Sequence, residues 1–84
     1  MIRHAFYFTA DWCGPCKKIR PIVEEINRDS ATKFTIIDVD ENMSLCQVYS
    51  VTSVPTFIFI EDAKEIKRMS GAKTKQELED FLNG

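Results

Sequence analysis

Two cysteines three positions apart, in the stretch Trp12-Cys13-Gly14-Pro15-Cys16, constrain this chain more than anything else in it. They follow an apolar run, Ala5-Phe6-Tyr7-Phe8, that reads as a strand, and they precede Lys17-Lys18-Ile19-Arg20, where a helical pattern begins. At such a junction the spacing lets both sulfurs face each other across one turn of helix and close a small disulfide ring, which makes a redox motif. Cys13 falls at the helix N-terminus, where unpaired backbone N–H groups and the helix dipole favour negative charge and so a thiolate. Cys16, one turn further in and less exposed, is placed to attack a mixed disulfide that Cys13 has formed. Pro15 brings no N–H that would go unpaired in the first turn. Gly14 lets the chain turn tightly and leaves the sulfur approachable.

The rest of the chain supplies a frame for this motif. The first strand is expected over about residues 3 to 9, its nearly continuous apolar run suiting a central strand covered on both faces. A helix is expected from Cys13 to about Arg28, with Ile19, Ile22, Val23 and Ile26 as one apolar stripe and Pro21 as a kink. After the polar break Asp29-Ser30-Ala31-Thr32, the run Phe34 to Val39 reads as a second buried strand, completing a right-handed βαβ unit. Asp40-Glu41-Asn42 is expected to cap a short helix that bears Leu45, Val48 and Tyr49 on one face. Thr56 to Ile60 is a third buried strand, Glu61-Asp62-Ala63 a turn, and Lys64 to Ser70 a charged edge strand in which Ile66 and Met69 break alternation as a bulge would. Thr74-Lys75-Gln76-Glu77 is a capping box, opening a last helix that buries Leu78, Phe81 and Leu82.

Bulk properties exclude several classes. A chain of 84 residues is one domain, expected to span 1–84 with no linker, repeat or low-complexity stretch. Its net charge of −2 gives no argument for nucleic acid or an anionic membrane. No apolar run approaches the roughly 20 residues that span a bilayer. The N-terminus lacks the apolar core and cleavage site of a signal peptide, so a reducing, cytoplasmic location is expected. Three cysteines, an odd count, argue for a catalytic pair and a spare, Cys46, rather than a secreted disulfide scaffold. A zinc site needs about four ligands, and only Cys46 and the solitary His4 could join the pair; the expectation is no metal.

Trp12-Cys13-Gly14-Pro15-Cys16-Lys17, continued by Val54-Pro55-Thr56-Phe57 and Gly71-Ala72, resembles the thioredoxin family over nearly the whole chain, in the manner of its short, glutaredoxin-like members. The resemblance implies an α/β fold of order βαβαββα, a mixed four-stranded sheet with helices on both faces, in a form without the N-terminal strand and helix of larger members. It implies a protein-disulfide reductase and electron carrier with Cys13 as nucleophile and Cys16 as resolving thiol. Trp12, Gly14, Pro15, Tyr7 and Asp11 would support them, and the Cys13–Cys16 disulfide would be the redox centre without any bound cofactor. It implies a cis Val54-Pro55 bond beside the sulfurs and a client-recognition rim of Trp12, Val54, Pro55, Gly71 and Ala72. It further implies a monomer whose electrons come from an NADPH-dependent thioredoxin reductase and whose clients include ribonucleotide reductase.

The departures from the family pattern are specific. The first strand usually carries a buried aspartate beneath the cysteines, and here that position is Tyr7; the lysine that pairs with it is matched by Ile36. Both charges are absent together, which is coherent because one left alone in the interior is costly. A tryptophan common in the family is matched by Thr9. Cys16 must then lose its proton to water, to the Tyr7 hydroxyl or to Asp11. Two rival readings are a glutathione-dependent glutaredoxin and an accessory subunit of a larger enzyme. Against the first, the insert is Gly-Pro rather than Pro-Tyr, and Ser70-Gly71-Ala72-Lys73 lacks the glutathione-gripping pattern; against the second stand the two intact cysteines.

Overall fold

The structure, a computed structural model, describes residues 2–84. Its elements in chain order are β1 (Arg3–Thr9), α1 (Gly14–Asp29), β2 (Phe34–Asp38), α2 (Met43–Val48), β3 (Thr56–Glu61), β4 (Lys64–Ser70) and α3 (Lys75–Asn83). The order βαβαββα is the expected one. The strands lie in the sequence β2-β1-β3-β4, with β1 parallel to β2 and antiparallel to β3, and β3 antiparallel to β4.

Alternation along the two central strands divides the core into two layers. Tyr7, Phe57 and Phe59 face α1 and α3, meeting Ile19, Val23, Ile26, Leu78, Phe81 and Leu82. Phe8, Ile58 and Ile60 face the other way, under Leu45, Cys46 and Tyr49 of the α2 region. The sheet is thus covered on both faces, as expected. Phe57 is fully buried between Tyr7 and Phe34, and truncating such a ring to alanine costs about 3–5 kcal/mol.

Both sheet edges are guarded, by different means. β4 is charged and bulged: Phe59 faces Lys67 but Ile60 faces Glu65, so Ile66 is the extra residue. β2 carries few charges, and asparagine side chains close it instead. Asn27 accepts from the Phe34 N–H and donates to its carbonyl, both at 2.8 Å, while Asn42 Nδ2 donates to the Asp38 carbonyl at 2.9 Å. In a parallel ladder alternate residues point their backbone groups outward, so these bonds cover both ends of the free edge.

Three local expectations are corrected. Cys13 is the N-cap of α1 rather than its first residue. Asn42 occupies the N-cap position of α2 but makes no side-chain cap bond; its Nδ2 instead donates to the Asp38 carbonyl. Val48 is 74% exposed rather than buried. α2 is only six residues long, with Tyr49 as its C-cap and Ser50 at positive φ; Leu45 and Tyr49 reach the sheet and Val48 is exposed. The capping box of α3 forms as expected, Thr74 and Glu77 each bonding the other's backbone N–H. In the β3–β4 turn Asp62 and Ala63 both take positive φ, the geometry of a tight hairpin.

Candidate active site

The β1–α1 junction builds the site. The Cys13 N–H bonds the Ala10 carbonyl at 3.2 Å, ending the strand and turning the chain into the helix. As N-cap, Cys13 presents its sulfur to the first turn, where it accepts from the Cys16 N–H at 3.2 Å. Thiolate character is favoured there by that bond and by the helix dipole. The two sulfurs are at disulfide distance and the Cα atoms 5.2 Å apart. Cys13 is 5% exposed and Cys16 1%, packed with Ala10 against Val39 and Val54. The Val54–Pro55 bond is cis, as expected, and the Val54 carbonyl oxygen lies 3.8 Å from Cys13 Sγ.

Around this centre lie three depressions. The first, about 540 Å³, runs between Trp12, Val39, Met43, Cys46 and Val54. Trp12 is 68% exposed and held over it by an indole bond of 2.9 Å to Asp40. The second, about 490 Å³, lies across the redox pair, between Gly14, Pro15, Ala72 and the lysines Lys18 and Lys73. The expected rim is therefore split: Trp12 and Val54 flank one hollow and Ala72 the other. Gly71 between them has φ +86, which suits glycine, and its N–H bonds the Pro55 carbonyl at 3.0 Å. The third, about 380 Å³, touches Cys16 itself beside Thr9, Asp11, Lys17 and Arg20.

Tyr7 lies wholly buried, as the position beneath the cysteines requires, and its hydroxyl donates to the Cys16 carbonyl at 3.1 Å. Burial pushes its pKa up, against smaller opposing effects of the Thr9 hydroxyl and the Arg20 charge. Cys46 is half-buried on α2, its thiol pushed above the ordinary value by burial first and by the Asp40 charge second. His4 sits on β1 with its ring 5.2 Å from that of Phe6, outside the cysteine cluster.

Sequence reasoning missed Asp40 and the α2 side of the groove. Asp40 is 28 residues from Trp12, and nothing in a loop aspartate announces a long-range bond to an indole.

The thioredoxin family model matches residues 3–84. The chain is 40% identical over 78 residues to a thioredoxin of Bacillus subtilis, covering 90% of this chain and 75% of that one. It is 44% identical over 73 residues to a thioredoxin of Mycobacterium tuberculosis, covering 84% of this chain and 63% of the relative. Among solved structures, a thioredoxin from Halobacterium salinarum superposes with a TM-score of 0.90 at 33% identity, over 96% of this chain and 72% of the other. The thioredoxin of Fasciola hepatica gives 0.89 at 40% identity, over 96% and 78%.

Proposed function

This chain belongs to the thioredoxin family and is a thiol–disulfide oxidoreductase, and on that premise we propose that it reduces disulfides of client proteins through a cycle of Cys13 and Cys16. The observation that carries this reading is the Cys13 sulfur at the N-cap of α1, bonded by the Cys16 N–H and set beside the Val54 carbonyl.

In the proposed cycle the Cys13 thiolate attacks one sulfur of a client disulfide. That S–S bond breaks, its electron pair leaves on the other client sulfur, and a Cys13–client mixed disulfide forms. The Cys16 thiolate then attacks Cys13 Sγ, expels the second client sulfur as a thiolate and closes the Cys13–Cys16 disulfide. The client gains two electrons and the protein loses two. An upstream reductase must return them; on family grounds this is an NADPH-dependent thioredoxin reductase, and ribonucleotide reductase is a fitting client.

An extended client segment can lie beside Val54, pairing with its backbone as an added strand would. Trp12 and Val54 on one side, and Gly71 and Ala72 on the other, present small or apolar surface to it, so recognition rests on backbone and shape more than on particular side chains. Among the described residues no helix is long and apolar enough to cross a membrane, and the proposed place of work is the cytoplasm.

The test is NADPH consumption with a disulfide-bonded protein substrate, run in parallel with a thioredoxin reductase and with glutathione plus its reductase. Turnover with the first is expected, abolished by Cys13→Ser. Turnover with glutathione alone overturns the reading in favour of a glutaredoxin.

A further inference from the structure

Cys16 has to shed a proton before it can attack, and the family's buried acid is absent from beneath it. Of the groups that could replace it, the Tyr7 hydroxyl is disqualified by its geometry. It is a donor to the Cys16 carbonyl, buried on all sides, with its neutral form favoured by that burial. A phenol held in this way cannot also receive the Cys16 proton.

The hollow of about 380 Å³ offers another route. It touches Cys16, whereas neither of the other two depressions at the redox pair does. It is roomy enough for water, and its wall carries polar partners. Thr9 brings a hydroxyl and Asp11 a carboxylate. Pro21, also on the wall, has no N–H to give the Lys17 carbonyl, which leaves that acceptor for solvent. We propose that Cys16 delivers its proton into this hollow, through a water, to the carboxylate of Asp11, which takes over the part that a buried acid would otherwise play.

The inference rests on the disulfide-exchange cycle proposed above and assigns a path within it. The Cys16 S–H bond breaks and the proton passes through water to Asp11. The freed sulfur pair bonds to Cys13 Sγ, the Cys13–client bond breaks, and its pair leaves on the client sulfur. That thiolate then takes a proton from solvent, to which Asp11 returns its own.

The surrounding charges suit this assignment. From its own helix Cys16 has Lys17 and Arg20 on the hollow, the latter also paired with Glu24 at 3.6 Å. Tyr7 is the titratable group from β1. On the β2–α2 loop Asp40 is engaged by the Trp12 indole. The cis-proline loop contributes no charge in Ser53-Val54-Pro55. Asp11 is therefore the acid on the wall of the hollow, a wall it shares with two cations whose charge favours an anionic Cys16 sulfur.

The experiment separates the two chemical steps. Reduced protein is mixed with a disulfide-bonded peptide, and release of the second peptide thiol is followed in single turnovers across the neutral pH range. The attack step alone is followed in a Cys16→Ser background, where the mixed disulfide accumulates. Asp11→Asn is expected to slow release by about tenfold, to make it climb more steeply with pH as hydroxide becomes the base, and to leave the attack step unchanged. Asp11→Glu should restore the rate and the shallower profile. Asp11 is exposed, so these variants should fold. Unaltered release and pH profile in Asp11→Asn, or equal slowing of attack and release, overturns the inference. A wild-type protein that forms no mixed disulfide at all would instead overturn the cycle on which it rests.

Discussion

Tyr7 on β1 and Ile36 on β2 stand directly opposite one another in the parallel ladder. These are the two positions at which the family usually places a buried acid and its basic partner, so the charged pair is replaced by a contiguous neutral one. Tyr7 fills the space with a ring stacked 5.1 Å from that of Phe57, and it spends its single polar group on the Cys16 carbonyl. The exchange makes the two sites interdependent.

Tyr7→Asp should therefore be destabilising by about 3–5 kcal/mol through loss of the buried ring, and more so as pH rises. A carboxylate at this site has its folded pKa raised by burial. The folded state then holds its proton more tightly than the unfolded one, and stability falls as pH climbs above about 4. Adding Ile36→Lys should recover about 1 kcal/mol or more of the loss at neutral pH and little of it in acid. Urea unfolding of the two single variants and the double variant at both pH values measures the coupling. The same aspartate should alter the rate and pH profile of client release, and an additive cycle with unchanged kinetics would contradict the interdependence.

The α3 capping box gives a pH dependence of the opposite sense. Bonding to the Thr74 backbone N–H, then to the Thr74 side chain, lowers the Glu77 pKa below its ordinary 4.5. For a depressed acid the folded state binds the proton less tightly, so the contribution is present above 4.5 and is lost as pH falls through the folded value. Amides in the first turn of α3 should lose protection, measured against their intrinsic exchange rates, as pH falls, and Glu77→Gln should flatten that dependence. The effect is modest, since Glu77 is fully exposed and screened by solvent.

The fold was legible because its signals are local and agree: the apolar runs of β1, β2 and β3, the i, i+3, i+4 stripes of α1 and α3, the Thr74–Glu77 box and the bulge at Ile66. The cysteine pair was legible because spacing and a strand-to-helix junction suffice to place two sulfurs on one turn. What escaped was settled by how the elements pack in three dimensions. Asn42 stands at the N-cap of α2, but its side chain is turned to the β2 edge, where Nδ2 donates to the Asp38 carbonyl. Val48 shares helical spacing with Leu45, but a helix of six residues has too short a face to bury both, and Tyr49 takes the place beside Leu45. The partnership of Trp12 with Asp40 depends on where the β2–α2 loop comes to rest, which no local pattern encodes.

Cys46 lines the groove beside Trp12 and Val54, yet it should react more slowly than Cys13. Its pKa is raised by burial and by the Asp40 charge, so little of it is thiolate near neutrality, whereas Cys13 gains from the helix N-terminus. Brief treatment of the reduced protein with iodoacetamide should label Cys13 well before Cys46, by about tenfold or more in rate. Cys46→Ser should keep client turnover within about twofold. Labelling in the reverse order would show that burial and the neighbouring carboxylate do not govern this thiol.

The asparagine clamp on β2 has a consequence for solubility as well as stability. Asn27 satisfies both backbone groups of Phe34, at the start of a strand whose sequence, Phe34-Thr35-Ile36-Ile37, carries no charge. Asn27→Ala removes two hydrogen bonds and leaves a buried residue's N–H and carbonyl open at the edge, at a cost of about 1–3 kcal/mol. It also uncovers an apolar template for pairing with another chain, which charge and a bulge oppose along β4 but which the uncharged run Phe34-Thr35-Ile36-Ile37 does not. Urea unfolding should register the lower stability, and concentration-dependent light scattering on warming should register more association than in the parent protein. Asn27→Asp separates the two effects: it keeps an acceptor for the Phe34 N–H, loses the donor to the Phe34 carbonyl, and adds a charge that opposes association. It should therefore be less stable than the parent but associate no more than the parent does. If Asn27→Ala is destabilised and yet as soluble as Asn27→Asp, the clamp serves stability alone.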